Sequence, residues 1–198
     1  MLSRPADVLL TTEGVEAPPY TMEFDSRAVG LAFERVFLAY YPRIVAVLYR
    51  VVGDRTRAEE LTNEVFLRAH RQWSSRAVHS NPGGWLYRTA TNLGIDDLRV
   101  TARRMRYERI AGGDIRDKGA SPTPLDGLLK KEKRTQVQAV LYSMKKWQAQ
   151  ILILRSSGLS YEELASALSM KRSSVGTMLA RAEKEFHKRY FRTHGPEE

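Results

Sequence analysis

A capping box followed by a short helical hairpin places the strongest limit on how this chain can fold. In GLSYEELASALSMKRSSVGTMLARAEKEF, residues 158–186, Ser160 precedes Glu163 at the spacing of a capping box. The serine hydroxyl and the glutamate carboxylate bind each other's backbone N–H groups, so such a pair marks a helix start. The pattern predicts a helix from Ser160 to about Leu168, a short turn and a second helix from about Arg172. These lengths are typical of a helix-turn-helix.

The second of these helices has an apolar side and a polar side on a helical wheel. Its polar side carries short side chains near the N-terminus, which let a helix enter the DNA major groove closely. Basic side chains farther along can contact a guanine edge or a phosphate. The candidates for duplex DNA contact are Arg172, Ser173, Ser174, Thr177, Arg181 and Lys184. From the pattern alone, a solvated face of a small helical bundle remains an alternative.

Helical periodicity extends from Ser26 to about residue 192, and strand-like alternation is nearly absent. We predict an all-α fold of two small helical domains joined by a flexible basic linker, the second domain containing the helix-turn-helix. Pro42 predicts a break or kink in the first helical stretch, and Asp54 is a candidate N-cap. The predicted limits are a flexible tail at 1–24, domains at 25–110 and 128–192, a linker at 111–127 and a C-terminal tail at 193–198.

Charge and amino-acid composition exclude several classes of protein and favour others. The net charge of +9 and pI near 9.9 favour a polyanionic partner. The absence of cysteine excludes disulfides and thiolate metal sites. Apolar runs are too short for a signal peptide or a membrane span. We therefore expect a soluble cytoplasmic protein with no membrane insertion.

A second candidate surface lies in NPGGWLYRTATNLGIDDLR, residues 81–99. As a helix it has a broad apolar arc and an opposing polar stripe. Arginine neutralises phosphate, asparagine reads a base edge, and an aromatic ring stacks on an unpaired base. This combination favours single-stranded nucleic acid, although locally paired surface residues would give the same pattern. Asp97 falls inside the apolar arc, where a buried carboxylate needs a partner.

The residues of this second surface come from the helix and the loop before it. The helix supplies Trp85, Arg88, Asn92, Asp96 and Arg99, and the loop adds Arg76, His79 and Asn81, which can line a pocket for an extruded base. Trp85 either stacks on a base or packs beneath the loop.

Three motifs in order resemble an extracytoplasmic-function sigma factor of bacterial RNA polymerase. They are RAEELTNEVFLRAH (57–70), PGGWLYRTATNLGIDDLR (82–99) and GLSYEELASALSMKRSSVGTMLARA (158–182), within a resemblance that covers roughly 27–190. The resemblance implies a specificity subunit that binds core polymerase, recognises the −35 and −10 promoter elements and promotes melting. Catalysis belongs to polymerase, so no enzyme activity, cofactor or metal is expected. A regulating anti-sigma factor is implied by family habit.

The resemblance also assigns roles to residues. Contacts with core polymerase fall to Glu60, Leu61, Asn63, Glu64 and Phe66. The 81–99 helix and its preceding loop would hold the melted −10 element, and the helix-turn-helix would read the −35 element as duplex.

Two other functions account for parts of the sequence less well. A helix-turn-helix regulator acting on duplex DNA without core polymerase accounts for 158–186 but leaves 57–99 unexplained. An enzyme is disfavoured because the histidines, His70, His79, His187 and His194, are scattered. No phosphate-cradling glycine loop or nucleophile motif accompanies them.

Overall fold

The computed structural model describes residues 23–73, 78, 80–110 and 125–195, and its regular structure in these ranges is helical. The helices are α1 Glu23–Val52, α2 Arg55–Arg71, α3 Pro82–Ile110, α4 Leu125–Ser143, α5 Lys146–Ser156, α6 Tyr161–Leu168 and α7 Arg172–His194. The predicted all-α class, with its helix-turn-helix, is confirmed. Residues 1–22, 111–124 and 196–198 lie outside the described residues, and with them most of the predicted tails and linker.

The first three helices pack against one another around an apolar core. Helix α1 contacts both α2 and α3, and α2 also contacts α3. Apolar residues of all three helices point inward, and the core includes side chains with no exposed surface: Ile44, Leu48, Val65, Leu86 and Ile95. Burial of this kind stabilises the fold by about 1.5–3 kcal/mol for each large apolar side chain.

Helix α1 runs without interruption through Pro42, so the predicted break is absent. Proline removes one backbone hydrogen bond, the one that would be accepted by the carbonyl of residue 38. Both Pro42 and Leu38 are exposed, and that carbonyl lies on the side of the helix open to water. The apolar contacts of α1 on its other side hold the helix together across this position.

Gly53 and Asp54 form the boundary between α1 and α2. Gly53 has a φ of 78°, a left-handed conformation that favours glycine. Asp54 caps α2, as predicted, because its Oδ1 accepts a hydrogen bond of 2.6 Å from the backbone N–H of Arg57. These two residues alone separate α1 from α2, and the two helices contact each other.

The buried side of α3 contains Asp97, and its partner is Arg57 of α2. The Arg57 Nη2 and Nε atoms lie 2.6 and 3.0 Å from the Asp97 Oδ1. Arg57 also donates to Glu60 at 2.7 Å. The hydrogen bond to Asp97, with that to Glu60, raises the pKa of Arg57. This pair ties α2 to α3 and explains a carboxylate inside an apolar arc.

Helices α4 to α7 form the second domain, and its core is continuous with that of the first. Helix α7 contacts α4, α5 and α6, while α3 contacts α4, α5 and α6 across the domain boundary. A single cluster of buried residues includes Leu48 and Leu86 of the first domain with Ile151, Leu154 and Leu164 of the second. Helix α3 thus lies between the two domains. None of the helices in the described ranges has the length and apolarity needed to cross a membrane.

Replacing Asp97 by alanine is expected to lower the free energy of unfolding by about 1–2 kcal/mol. Hydrogen bonds to charged groups contribute about 1.5–3 kcal/mol, and the 47% exposure of the Arg57 side chain reduces that value. Urea unfolding followed by circular dichroism measures the change.

Glu59→Ala is the matched control, since it removes an exposed ion pair within α2, Arg55–Glu59. It should cost less than about 0.5 kcal/mol. Equal losses in the two variants would show that the contact between α2 and α3 contributes nothing specific.

Candidate nucleic-acid and polymerase interfaces

The helix-turn-helix begins at the predicted capping box. The backbone N–H of Ser160 donates to Glu163 Oε2 at 2.7 Å, and the N–H of Glu163 donates to Ser160 Oγ at 3.3 Å. The hydrogen bonds from Ser160, first its backbone N–H and then its side chain, lower the pKa of Glu163. Helix α6 therefore starts at the predicted residue.

The turn between α6 and α7 depends on Ser169. Its φ of 54° is left-handed, at a position where the sequence places serine rather than glycine. The N–H of Met170 donates to the carbonyl of Ala165 at 3.0 Å and closes the end of α6. The chain then enters α7 at Arg172, as predicted.

Helix α7 buries its apolar side and exposes the side predicted to contact duplex DNA. Val175, Leu179 and Ala182 are buried. Of the predicted contact residues, Ser174 is half-buried, and the others are exposed: Arg172, Ser173, Thr177, Arg181 and Lys184. Arg172 also forms an exposed ion pair with Glu162 of α6, 3.0 Å long. The structure thus brings this predicted set together on one open face.

The residues of α2 that were expected to contact polymerase fall into two groups, which differ in solvent exposure. Glu60 and Asn63 are exposed and Glu64 is half-buried, so all three reach its outer face. Leu61 and Phe66 are buried in the core at 7% and 4% exposure. Those two can only support the outer face from beneath.

The loop before α3 is built for close packing. Asn81 caps α3, because its Oδ1 accepts the N–H of Gly84 at 3.0 Å. A Cβ at Gly83 would lie 2.5 Å from the hydroxyl oxygen of Tyr40, so any larger residue would force that side chain of α1 to move. The close approach of Tyr40 therefore explains the glycine at position 83. Trp85 is half-buried against the core, while Arg76 and His79 lie outside the described residues.

The polar stripe of α3 contacts the second domain. Near the start of α3, Asn81 Nδ2 lies 2.6 Å from Ser166 Oγ of α6. One turn beyond Trp85, Arg88 Nη1 donates to Ser169 Oγ at 2.9 Å. Both partners belong to the helix-turn-helix.

The same contact continues along α3 to helix α5. Gln150 Nε2 donates to Asn92 Oδ1 at 3.1 Å and to Thr91 Oγ1 at 3.2 Å. The Nζ of Lys146 lies 3.0 Å from Asp96 Oδ2. At the end of the stripe, Arg99 Nη2 lies 3.4 Å from the carbonyl oxygen of Met144. The described polar residues of the stripe that were expected to face single-stranded DNA therefore each contact the second domain, and all but the exposed Asp96 are half-buried.

Sequence reasoning missed the second-domain side of this interface: Lys146, Gln150, Ser166 and Ser169. Gln150 is buried, which is unusual for a glutamine. No local pattern marks these residues, because their partners lie far away along the chain.

Comparison with known proteins identifies the family. The sigma-70 region 2 model matches residues 36–104, and the sigma-70 region 4 model matches residues 134–186. The extracytoplasmic-function (ECF) sigma factor SigE of Mycolicibacterium smegmatis is 28% identical over 180 residues, 87% of this chain and 68% of that protein. SigW of Bacillus subtilis is 26% identical over 164 residues, 79% of this chain and 88% of that protein.

The chain belongs to the ECF sigma factors, the class of alternative sigma factors that act in transcription initiation. Sigma factors bind core RNA polymerase and promoter DNA, and both regions are present here in order. The alternative of a duplex DNA regulator independent of polymerase is not supported. The structure of CnrH in complex with the cytosolic domain of CnrY shares the fold, with a TM-score of 0.51 and 14% identity, covering 82% of this chain and 92% of CnrH.

The capping box predicts how the stability of the helix-turn-helix depends on pH. Since the folded-state pKa of Glu163 lies below its ordinary value of 4.5, its contribution is present above that value. It is lost as pH falls through the folded-state pKa. The difference in unfolding free energy between wild type and Glu163→Gln should therefore shrink from about pH 6 to about pH 3.

Urea unfolding at each pH measures this difference, and the subtraction cancels the other carboxylates. Glu162→Gln is the matched control, because Glu162 neighbours the box without closing it. A wild-type advantage over Glu163→Gln that stays constant with pH would contradict the prediction.

Proposed function

We propose that three surfaces of this sigma factor each bind a different partner. The outer face of α2 binds core polymerase, the polar stripe of α3 with its preceding loop holds the melted −10 element, and α7 reads the −35 element as duplex. The corresponding domain limits are 25–110 and 128–192, joined by the linker at 111–127.

The observation that carries this proposal is the open basic face of α7, presented on a capped helix-turn-helix. Its exposed short side chains, Ser173 and Thr177, precede Arg181 and Lys184 along the helix. Short residues allow close approach to the groove, and long cations farther along reach phosphates or guanine edges. Affinity then depends on salt through the phosphate contacts.

The face proposed for polymerase is acidic and polar. Glu60 and Glu64 stand one turn apart on α2, and Asn63 between them accepts a hydrogen bond of 3.1 Å from the hydroxyl of Tyr41. Glu64 pairs with Arg68 at 2.7 Å, on the surface of the same helix. Such a face suits a partner surface with positive charge.

The stripe of α3 has the chemistry required for unpaired bases. Arg88 and Arg99 supply guanidinium groups for phosphates, and Asn92 supplies an amide for a base edge. Asn81 stands at the N-terminal end of the helix and Trp85 beside it. The extruded base would be held at this end, next to the loop that carries Arg76 and His79.

We further propose that the chain has no catalytic activity of its own and acts in the cytoplasm, where polymerase carries out the chemistry. Regulation by an anti-sigma factor remains a prediction from the family resemblance.

Glu64→Arg should weaken the binding of core polymerase by about tenfold or more, because it reverses a charge at the centre of the proposed contact. The exposed pair with Arg68 contributes less than about 1 kcal/mol, so the fold should persist. Pull-down and titration of core polymerase measure the effect, with circular dichroism as a check on folding.

Glu132→Arg makes the same change of charge on α4, where residue 132 is also exposed. It should leave the affinity for core polymerase unchanged. If wild type fails to bind core polymerase, or if both variants weaken it equally, the assignment of α2 is wrong.

Arg181→Ala should lower the affinity of the holoenzyme for a duplex −35 fragment by about tenfold and reduce the salt dependence by about one phosphate contact. Fluorescence anisotropy at several salt concentrations measures both. Arg192→Ala removes the same charge near the C-terminal end of α7, and residue 192 is exposed as well. A similar loss in that control would show that general charge, not α7 docking, sets the affinity.

A further inference from the structure

We infer that this chain has a binding site for a small amphipathic carboxylic acid, such as a medium-chain fatty acid, at the boundary of its two domains. The site combines an apolar cavity with a second, cationic cavity, and Arg50 of α1 borders both. Its residues lie outside the surfaces proposed for polymerase and DNA, so the inference stands apart from the proposed function.

The apolar cavity has a volume of about 430 Å³ and lies between the end of α1 and helices α4, α5 and α7. Pockets that bind small ligands measure about 300–1,000 Å³, are mostly apolar and are common at domain interfaces. The apolar side chains of its walls come from both domains: Val51, Val137, Leu141, Leu152, Leu179 and Phe186. The volume and the lining therefore favour a ligand with an apolar body.

The walls of this cavity include apolar side chains that the protein covers only in part. Val137, Leu152 and Phe186 pack against the core but remain half-buried. Protein interiors usually leave few voids larger than a water molecule, so this space is unusual beside a core. Each methylene group that moves from water into such a space raises an affinity by about fourfold. An acyl chain in the cavity would complete the burial of these walls.

The second cavity, of about 290 Å³, supplies positive charge and a hydroxyl group. Arg43, two turns before Arg50 on α1, lines it together with Tyr87 of α3. Burial raises the pKa of Tyr87, although a hydrogen bond with Arg43 opposes the effect. The tyrosine hydroxyl is therefore protonated at neutral pH. Guanidinium groups bind anionic oxygens through charge-assisted hydrogen bonds, so this cavity attracts an acidic headgroup.

Arg50 is the residue positioned to bind the carboxylate. Its Nη1 donates to the carbonyl oxygen of Ser156 at 2.8 Å, which holds the guanidinium between the two domains. An arginine presents five N–H donors, and this hydrogen bond uses one of them. The planar fork of a guanidinium matches the two oxygens of a carboxylate. Arg50 can therefore bind a headgroup while its own position stays fixed.

Two other cationic or titratable side chains line the apolar cavity, Arg155 and His187, but both are engaged elsewhere. Arg155 Nη1 donates to the carbonyl of Leu159 at 3.0 Å, and its guanidinium lies 5.5 Å from the centre of the Tyr161 ring. His187 stacks on Phe191, with 5.9 Å between the ring centres. The headgroup is thus assigned to Arg50.

Two carboxylates limit the charge of the ligand. Glu183 lines the apolar cavity, and Glu163 lines the cationic one. Each repels a ligand with several negative charges, whereas a single carboxylate is attracted by Arg50 and Arg43. The site therefore suits a monoanion with an apolar body, which is the chemistry of a medium-chain fatty acid.

Isothermal titration calorimetry of the full chain with decanoate, below the concentration at which it forms micelles, tests the site. One decanoate should bind per chain. Decylamine has the same chain with the opposite charge, and decanol has no charge, so each should bind about tenfold more weakly or worse. From hexanoate upward, affinity should rise about fourfold for each methylene and level off once the cavity is full.

Three results of these titrations would overturn the inference. The first is the absence of saturable binding by decanoate. The second is equal affinity for decanoate and decylamine, because a site built around Arg50 must distinguish the two charges. The third is an affinity that still rises steadily up to hexadecanoate, as expected of adsorption to exposed apolar surface rather than of a cavity with a fixed volume.

Variants of the chain then locate the bound acid. Arg50→Gln should weaken decanoate binding by about tenfold or more. Arg35→Gln is the matched control, since it removes an exposed arginine of the same helix that borders neither cavity, and it should leave the affinity unchanged. Val137→Phe should abolish binding by filling the apolar cavity.

Circular dichroism verifies that each variant is folded. Leu152→Phe fills the same cavity from α5 and replaces Val137→Phe if that variant unfolds. If Arg50→Gln unfolds, the charge comparison between decanoate and decylamine decides the role of the guanidinium. Unchanged affinity in folded Arg50→Gln and in a folded cavity-filling variant would show that the acid binds elsewhere and would overturn the site.

Discussion

Helix α3 must be covered on two sides, and the rest of the structure follows from that requirement. Its apolar side, with Leu86 and Ile95 at zero exposure, packs against α1 and α2. Its polar side carries arginine and asparagine, which need hydrogen-bond partners wherever water is excluded. In the free chain the second domain supplies those partners. The same helix therefore stabilises one domain and provides the docking surface for the other.

This dual use places function and stability in competition on one surface. The Arg88 guanidinium and the Asn92 amide oxygen, which would contact a nucleic acid, form hydrogen bonds with Ser169 and Gln150 instead. Each contact is a modest one in water, because folding exchanges hydrogen bonds with solvent for hydrogen bonds within the protein. A binding partner that offers better contacts can therefore replace them. The open face of α7 avoids this competition, since its inner side alone meets the core.

Local patterns predicted much of the fold. The capping box of Ser160 and Glu163, the N-cap at Asp54 and the start of α7 at Arg172 were all found where the sequence indicated. These features depend on residues a few positions apart, which any helix brings together. The break predicted at Pro42 is absent, because the packing of α1 on its buried side holds the helix together across the proline.

Contacts between residues far apart in the sequence could not be predicted from local patterns. Asp97 clearly needed a partner, yet nothing in the sequence pointed to Arg57 of α2, which reaches it only when α2 and α3 pack. Leu61 lies on an apolar stripe of its helix and Phe66 matches the polymerase-binding motif by position, and the structure buries both.

The sequence by itself determined an all-helical protein of two parts, a helix-turn-helix with a basic outer face and a polar stripe within residues 81–99. Periodicity, capping and charge are properties of neighbouring residues, and they survive in any arrangement of the domains. Only the tertiary structure decided that the stripe is covered while the recognition helix is open. That outcome depends on contacts such as those of Ser166 with Asn81 and of Lys146 with Asp96. These contacts contribute to stability only when the two domains pack against each other.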